Sequence, residues 1–67
     1  MIISRVKQCR FARDMSIKEL CKRSGVSEYT ICKLERQTEI PTIRFETMKR
    51  VANALEFGVN VVFPMKT

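Results

Sequence analysis

Along this chain the apolar positions recur at helical spacing, in stretches separated by short polar or glycine-bearing breaks. Ile2, Val6 and Cys9 return every three or four residues, which predicts a first helix from about Ile2 to Arg13. Asp14 and Met15 form the link that follows it. Ser16 with Glu19 makes a capping box, in which the two side chains satisfy free backbone donors at a helix start. Leu20 and Cys21 then share a face, and Gly25 supplies a left-handed residue to end a second helix of roughly Ile17 to Ser24. Val26 sits in the turn and Ser27 caps a third helix, about Glu28 to Arg36, with Ile31 and Leu34 on its inner side. The polar stretch Gln37 to Thr42 contains Pro41 and reads as a loop. From there Phe45, Met48, Val51, Ala52 and Leu55 follow the i, i+3, i+6, i+7, i+10 rhythm of one apolar stripe, a fourth helix stopped by Gly58.

The last segment breaks the rhythm. Val59-Asn60-Val61-Val62-Phe63, closed by Pro64, is short and β-branched, so it reads as a strand in preference to a fifth helix. A lone strand in a helical domain has no partner in its own chain. Its copy in a second subunit would serve, which makes Val59, Val61, Val62 and Phe63 candidate dimerisation residues and 58–67 a candidate dimerisation segment. A short closing helix or an irregular tail is the alternative. Phe11 lies off the stripe of the first helix and reads as a partly exposed aromatic, or as one that packs on the C-terminal segment or a partner.

Two short helices joined by a tight glycine turn, 16–36, form a helix-turn-helix, a motif whose second helix can enter the DNA major groove. At about 100° per residue, the third helix turns Tyr29, Lys33 and Arg36 away from Ile31 and Leu34, with Thr30 beside them and Glu28 on the first turn. Lys33 can donate to guanine, Thr30 can meet a base or a thymine methyl, and Tyr29 offers a ring and a hydroxyl. Glu28 can accept from cytosine N4, or simply complement the helix dipole. Glu28, Tyr29, Thr30 and Lys33 are therefore the candidate base contacts. Ser16, Lys18, Ser27, Arg36 and Arg44 are the candidate phosphate contacts, because hydroxyls, helix-start amides and cations suit phosphate oxygens. Arg5, Lys7, Arg13, Lys22, Lys49 and Arg50 read as a solvated basic face. Arg10 and Glu35 border the inner faces of the first and third helices, where a charge-assisted pair would tie one to the other.

Length and charge agree with this reading. With 67 residues there is room for one small domain, whose core oligomerisation can supplement. A net charge of +6 implies a polyanionic partner, nucleic acid before an anionic membrane surface. The basic residues are spread over every helix instead of lining one amphipathic face, which disfavours the membrane. Three cysteines with no C-x-x-C pair, and no histidine, argue against a zinc site and for thiols packed in a reducing compartment. No stretch reads as a signal peptide or membrane span, so a cytoplasmic location is expected.

These residues carry a resemblance. Arg10, Ser16-x-x-Glu19-Leu20, Gly25-Val26-Ser27-x-x-Thr30-Ile31, Leu34-Glu35-Arg36, Pro41 and Ala52-x-Ala54-Leu55 are similar to the pattern of the lambda-repressor-like (Cro/C1-type) helix-turn-helix family of phage and bacterial transcriptional regulators. The resemblance runs from about Val6 to Leu55. It implies an all-α fold, a compact bundle of four or five helices with helix three as the recognition helix. It also implies an Arg10–Glu35 pair and a dimer on a two-fold symmetric operator. The chain departs from the family pattern at Ile17, where a phosphate-clamping Gln is frequent, at Cys21 in place of Ala, and at Gln37 in place of Gly. The Val-rich C-terminal segment is similar to that of antitoxin members whose subunits pair through a short strand.

Together these features imply a homodimeric, sequence-specific reader of double-stranded DNA, most simply a repressor. The alternative is an antitoxin or adaptor whose main partner is another protein, such as a toxin. An enzyme is not expected: the chain has no histidine, no glycine-rich phosphate loop and no carboxylate pair that the pattern would bring together. No cofactor is implied.

Overall fold

The computed structural model describes residues 1–66. Its elements run β1 (Ile2–Ile3), α1 (Val6–Ala12), α2 (Ile17–Ser24), α3 (Glu28–Arg36), β2 (Glu39–Ile40), α4 (Phe45–Leu55) and α5 (Val59–Val62). The mostly helical bundle is the expected fold class, with a minor strand pair added. Inside it Val6, Leu20, Ile31, Val51, Ala52, Leu55 and Val62 are fully buried and draw on every helix. α2 packs on both α3 and α4, so the helix-turn-helix rests on α4 as its platform.

The serine caps of the two motif helices form, but the Glu19 half of the capping box does not, because its carboxylate accepts from Arg23 instead. Ser16 Oγ accepts from the Glu19 amide at 3.1 Å and Ser27 Oγ from the Thr30 amide at 3.3 Å, each satisfying a donor the helix leaves free. Gly25 closes α2 in the left-handed region at φ 73°, its amide donating to Cys21 O at 2.9 Å. The chain then makes the tight turn that sets α3 across α2.

Both ends depart from the sequence expectation. The first helix starts at Val6, not Ile2, because the preceding residues bind elsewhere. Ile2 and Ile3 pair antiparallel with Ile40 and Glu39, and Ile2 also bridges Met65. Ser4, instead of capping α1, is buried and donates its hydroxyl to Leu34 O at 2.7 Å, while its amide donates to Thr38 O at 2.9 Å. The Gln37–Thr42 loop thus contains a strand, drawn out by Ile40, which is 5% exposed.

The strand expected at Val59–Phe63 is a short helix, the alternative reading of that segment. Gly58 is its N-cap, and the Phe63 amide donates to Val59 O at 2.7 Å. Burial overrides β-branched propensity here: in the helical turn Val62 and Phe63 both enter the core, 0% and 3% exposed. These two side chains are consumed by their own chain and cannot form a dimer strand. Val61, 47% exposed, and the half-buried Val59 are what the segment leaves near the surface. Strand pairing passes instead to the following residues, where Ile3 donates to Pro64 O at 2.8 Å and Lys66 to Met1 O at 2.9 Å.

Two arginines lock the helices together. Arg10 Nε donates to Glu35 Oε2 at 2.7 Å, Nη2 to Glu35 Oε1 at 3.1 Å, and Nη1 to Met15 O at 2.8 Å. The Glu35 hydrogen bond, opposed by burial, holds Arg10 more firmly protonated than a free guanidinium. Arg13 is exposed, as expected, but its guanidinium is committed to the fold. Its Nε and Nη2 donate to Leu55 O and Glu56 O at 2.9 and 2.8 Å, and its guanidinium lies 4.2 Å from the Phe57 ring centroid. A cation thereby caps the negative end of α4. Phe11, off the stripe as expected, is 60% exposed beneath the Arg10 guanidinium at 4.8 Å.

The cysteines act as packing residues. All three are free, with Cys9 buried and Cys21 and Cys32 half-buried, and burial pushes the Cys9 and Cys21 thiols up.

Two stability predictions follow from these locks. Both Arg10 and Glu35 side chains are about one-tenth exposed (11% and 9%), so Glu35→Ala leaves a largely desolvated guanidinium without its partner. It should cost about 3 kcal/mol by urea unfolding, and a loss under about 0.5 kcal/mol would show that the pair does not tie α1 to α3. Glu56 caps α4 at φ 60°, a strained region for a residue with a Cβ. Glu56→Gly should stabilise by about 1 kcal/mol, a rise of roughly 4–8 °C in Tm, and its main-chain bond to Arg13 is retained.

Candidate nucleic-acid interface

α3 is gripped from within at successive turns. Ile31 is fully buried and Leu34 5% exposed, Glu35 is held by Arg10, and Ser4 donates to the Leu34 carbonyl. What remains outward is the face anticipated from the spacing. Tyr29 is 77% exposed, and Glu28, Lys33 and Arg36 are exposed around it. Thr30 is half-buried on the flank, and its Oγ1 lies 2.9 Å from Ser27 Oγ. A base contact by Thr30 must therefore share its hydroxyl with the cap, whereas Tyr29 and Lys33 have no hydrogen-bond commitment among the described residues.

Shallow depressions lie on each side of α3. One is lined by Tyr29, Cys32, Lys33, Arg36 and Gln37. The other lies towards α4 and is lined by residues including Thr30, Lys33, Gln37, Thr42 and Thr47. Lys33 borders both. Gln37 leaves α3 with extended backbone (φ −95°, ψ 107°), so the position where the family pattern has Gly needs no left-handed residue here. The chain passes straight into β2.

The remaining polar residues surround this face unevenly. Ser16 and Ser27 are exposed, each with its hydroxyl already accepting a backbone N–H at the start of its helix. The Ser16 hydroxyl proton and the neighbouring first-turn amides remain available to an anion, while Ser27 Oγ is already engaged with Thr30 Oγ1. Lys18 is exposed on α2 beside Lys22 and Arg23, the last paired with Glu19 at 2.9 Å. Ile17 packs against the core where a Gln would reach outward. Arg44 is exposed at the N-cap of α4, with no side-chain cap of its own, and makes no ion pair among the described residues. Arg50 and Thr47 approach the helix-turn-helix across a groove. The sequence places Arg50 only on a solvated basic face and gives Thr47 no role, since only the crossing of α4 over the turn brings them there. The i, i+4 pairing of Glu46 with Arg50 was the one readable hint.

The Arg10–Glu35 pair and the buried Ser4 hydroxyl are supports of this surface and not part of it. Among the described residues no group of His, Cys, Asp and Glu could hold a metal ion, and no helix is long and apolar enough to cross a membrane. The arrangement offers a helix whose outward face sets Lys33 and Arg36 against Glu28, with mixed donors and helix starts beside it, as a duplex groove requires.

Comparison with known proteins agrees with that geometry. No curated protein sequence matches the chain significantly. The family model of the Cro/C1-type HTH DNA-binding domain matches residues 5–59 of the 67, from the residue before α1 to the first residue of α5. Gly25, the serine-capped α3 and the Arg10–Glu35 tie all lie inside that span, and the chain belongs to the Cro/C1-type helix-turn-helix DNA-binding family.

Proposed function

We propose that this DNA-binding regulator is a homodimeric repressor that inserts α3 into the major groove of an inverted-repeat operator. The observation that carries the reading is the outward face of α3. Tyr29, Lys33 and Arg36 project from a helix whose opposite side is fully committed to the core. Glu28, Tyr29, Thr30 and Lys33 read base edges, with Lys33 donating to guanine O6 or N7. Ser16, Lys18, Ser27, Arg36 and Arg44 hold phosphates on either side and fix the register. A net charge of +6 supplies the long-range attraction that brings the domain to the duplex.

A two-fold operator requires two copies, and the exposed Val61 and Met65 with the half-buried Val59 are apolar side chains the C-terminal segment leaves for the subunit contact. The antitoxin reading loses its main support, because the valine segment forms α5 and not a pairing strand. Repression needs no further chemistry: a dimer seated across a promoter excludes the polymerase.

Selection from a random duplex library tests the reading. An enriched inverted repeat with half-sites about one helical turn apart, roughly 10–10.5 bp, is the expected result. Binding without enrichment would assign specificity to a missing partner, and no binding would remove the DNA-reading role. On the enriched site Lys33→Ala should cost about 1–3 kcal/mol and relax preference at one base pair. An equal loss on random duplex would make Lys33 a phosphate contact only.

A further inference from the structure

Between the helix-turn-helix and α4 runs a groove that the DNA-reading role assigned above touches only through Thr30 and Arg44. Gly25, Val26 and Thr30 line one part of it, and Arg44, Glu46, Thr47 and Arg50 line the rest. The Gly25 and Val26 amides are already spent, on Cys21 O at 2.9 Å and Ser24 Oγ at 3.2 Å. An anion in the groove would thus be met by guanidinium and hydroxyl groups. Arg50 Nη2 donates to Glu46 Oε1 at 2.6 Å, in a pair whose side chains are 55% and 73% exposed. The groove therefore holds two cations and one carboxylate, a net +1 while Glu46 stays ionised.

We propose that this groove is a further phosphate grip for the DNA backbone, with Arg50 and Thr47 as its donors and Glu46 as a resident counter-ion that the phosphate displaces from Arg50. The inference rests on the DNA-reading role proposed above. Two observations favour a duplex phosphate as the occupant. Thr30 lines both this groove and the depression that Lys33 borders, so the groove is continuous with the reading surface. Its charge is complementary to the backbone, and an exposed i, i+4 pair contributes little, so Glu46 releases Arg50 to a phosphate at small cost. While it remains, Glu46 subtracts from affinity for any duplex. The groove would thus set the strength of non-specific binding independently of base reading.

The test compares wild type with Arg50→Gln, Glu46→Gln and Thr47→Val on the enriched operator and on random duplex, across a salt series. Arg23→Gln serves as control, because Arg23 makes the same kind of exposed i, i+4 pair, with Glu19, away from the groove. Thermal melting verifies that each variant folds. Arg50→Gln should weaken binding roughly threefold to tenfold on both duplexes and flatten the salt slope by about 0.9, the loss of one phosphate contact. Thr47→Val should weaken binding less, and Glu46→Gln should tighten it on both duplexes. If Arg50→Gln changes affinity no more than Arg23→Gln and leaves the slope intact, the grip is overturned while the DNA-reading role stands. If Glu46→Gln does not tighten binding, the counter-ion role is overturned. If wild type binds no duplex, both the grip and the reading on which it rests fail.

Discussion

The bidentate bond between Arg10 and Glu35 is the contact on which the rest of the arrangement depends. One guanidinium reaches from α1 to α3 and, through Met15 O, to the link into α2. Desolvating the pair costs energy that its attraction only partly repays, so its value lies in geometry more than in net stability. A planar fork accepts one orientation of a carboxylate, and that orientation sets the rotation of α3 about its own axis. Were α3 to turn by a single residue, Tyr29 and Lys33 would move towards the flanks and Cys32 would take their place. The inner apolar pair Ile31 and Leu34 excludes gross rotation, and the ion pair removes the remaining freedom.

The ends of the chain serve the same purpose from the other side. Ile2 lies between Ile40 and Met65, so the two termini and the loop after α3 meet in one small sheet. Lys66 Nζ reaches Glu39 at 2.7 Å and holds its carboxyl below the usual range, an exposed tie across that sheet. Because Ser4 also binds the Leu34 carbonyl in the last turn of α3, the C-terminal end of that helix is anchored without a glycine cap. The family pattern's usual Gly at that point is thus replaced by a different solution, an extended exit into β2.

A division of labour among the basic residues follows. Lys33 and Arg36 are exposed on α3, and Arg44 is exposed at the start of α4. Arg10 is withdrawn into the fold as a tie, whereas Arg13 stays exposed while its guanidinium caps α4. Counting all thirteen cations as a DNA-attracting field would therefore misjudge their roles, although each still contributes to the net charge. The domain spends two of its arginines on keeping a small core in one arrangement, a sensible use of charge where apolar surface is scarce.

The sequence by itself determined the helix-turn-helix: its caps at Ser16 and Ser27, its glycine turn, the inner pair Ile31 and Leu34, and hence which residues of α3 face outward. These were legible because they are local, set by hydrogen bonds and periodicities that span four residues or fewer. The Arg10–Glu35 tie was legible too, since both residues border apolar stripes that must meet. Tertiary structure alone decided the fate of the ends. Ile2 and Ile3 have helical spacing with Val6 yet form a strand, because Ile40 and Met65 offer partners far along the chain. Val59–Phe63 has strand-like residues yet forms a helix, because only a helical turn sends both Val62 and Phe63 into the core. The approach of Arg50 and Thr47 to the motif likewise depends on where α4 crosses. Residues within one turn of each other announce their partners, while those that meet across the fold are paired by packing, which no local pattern encodes.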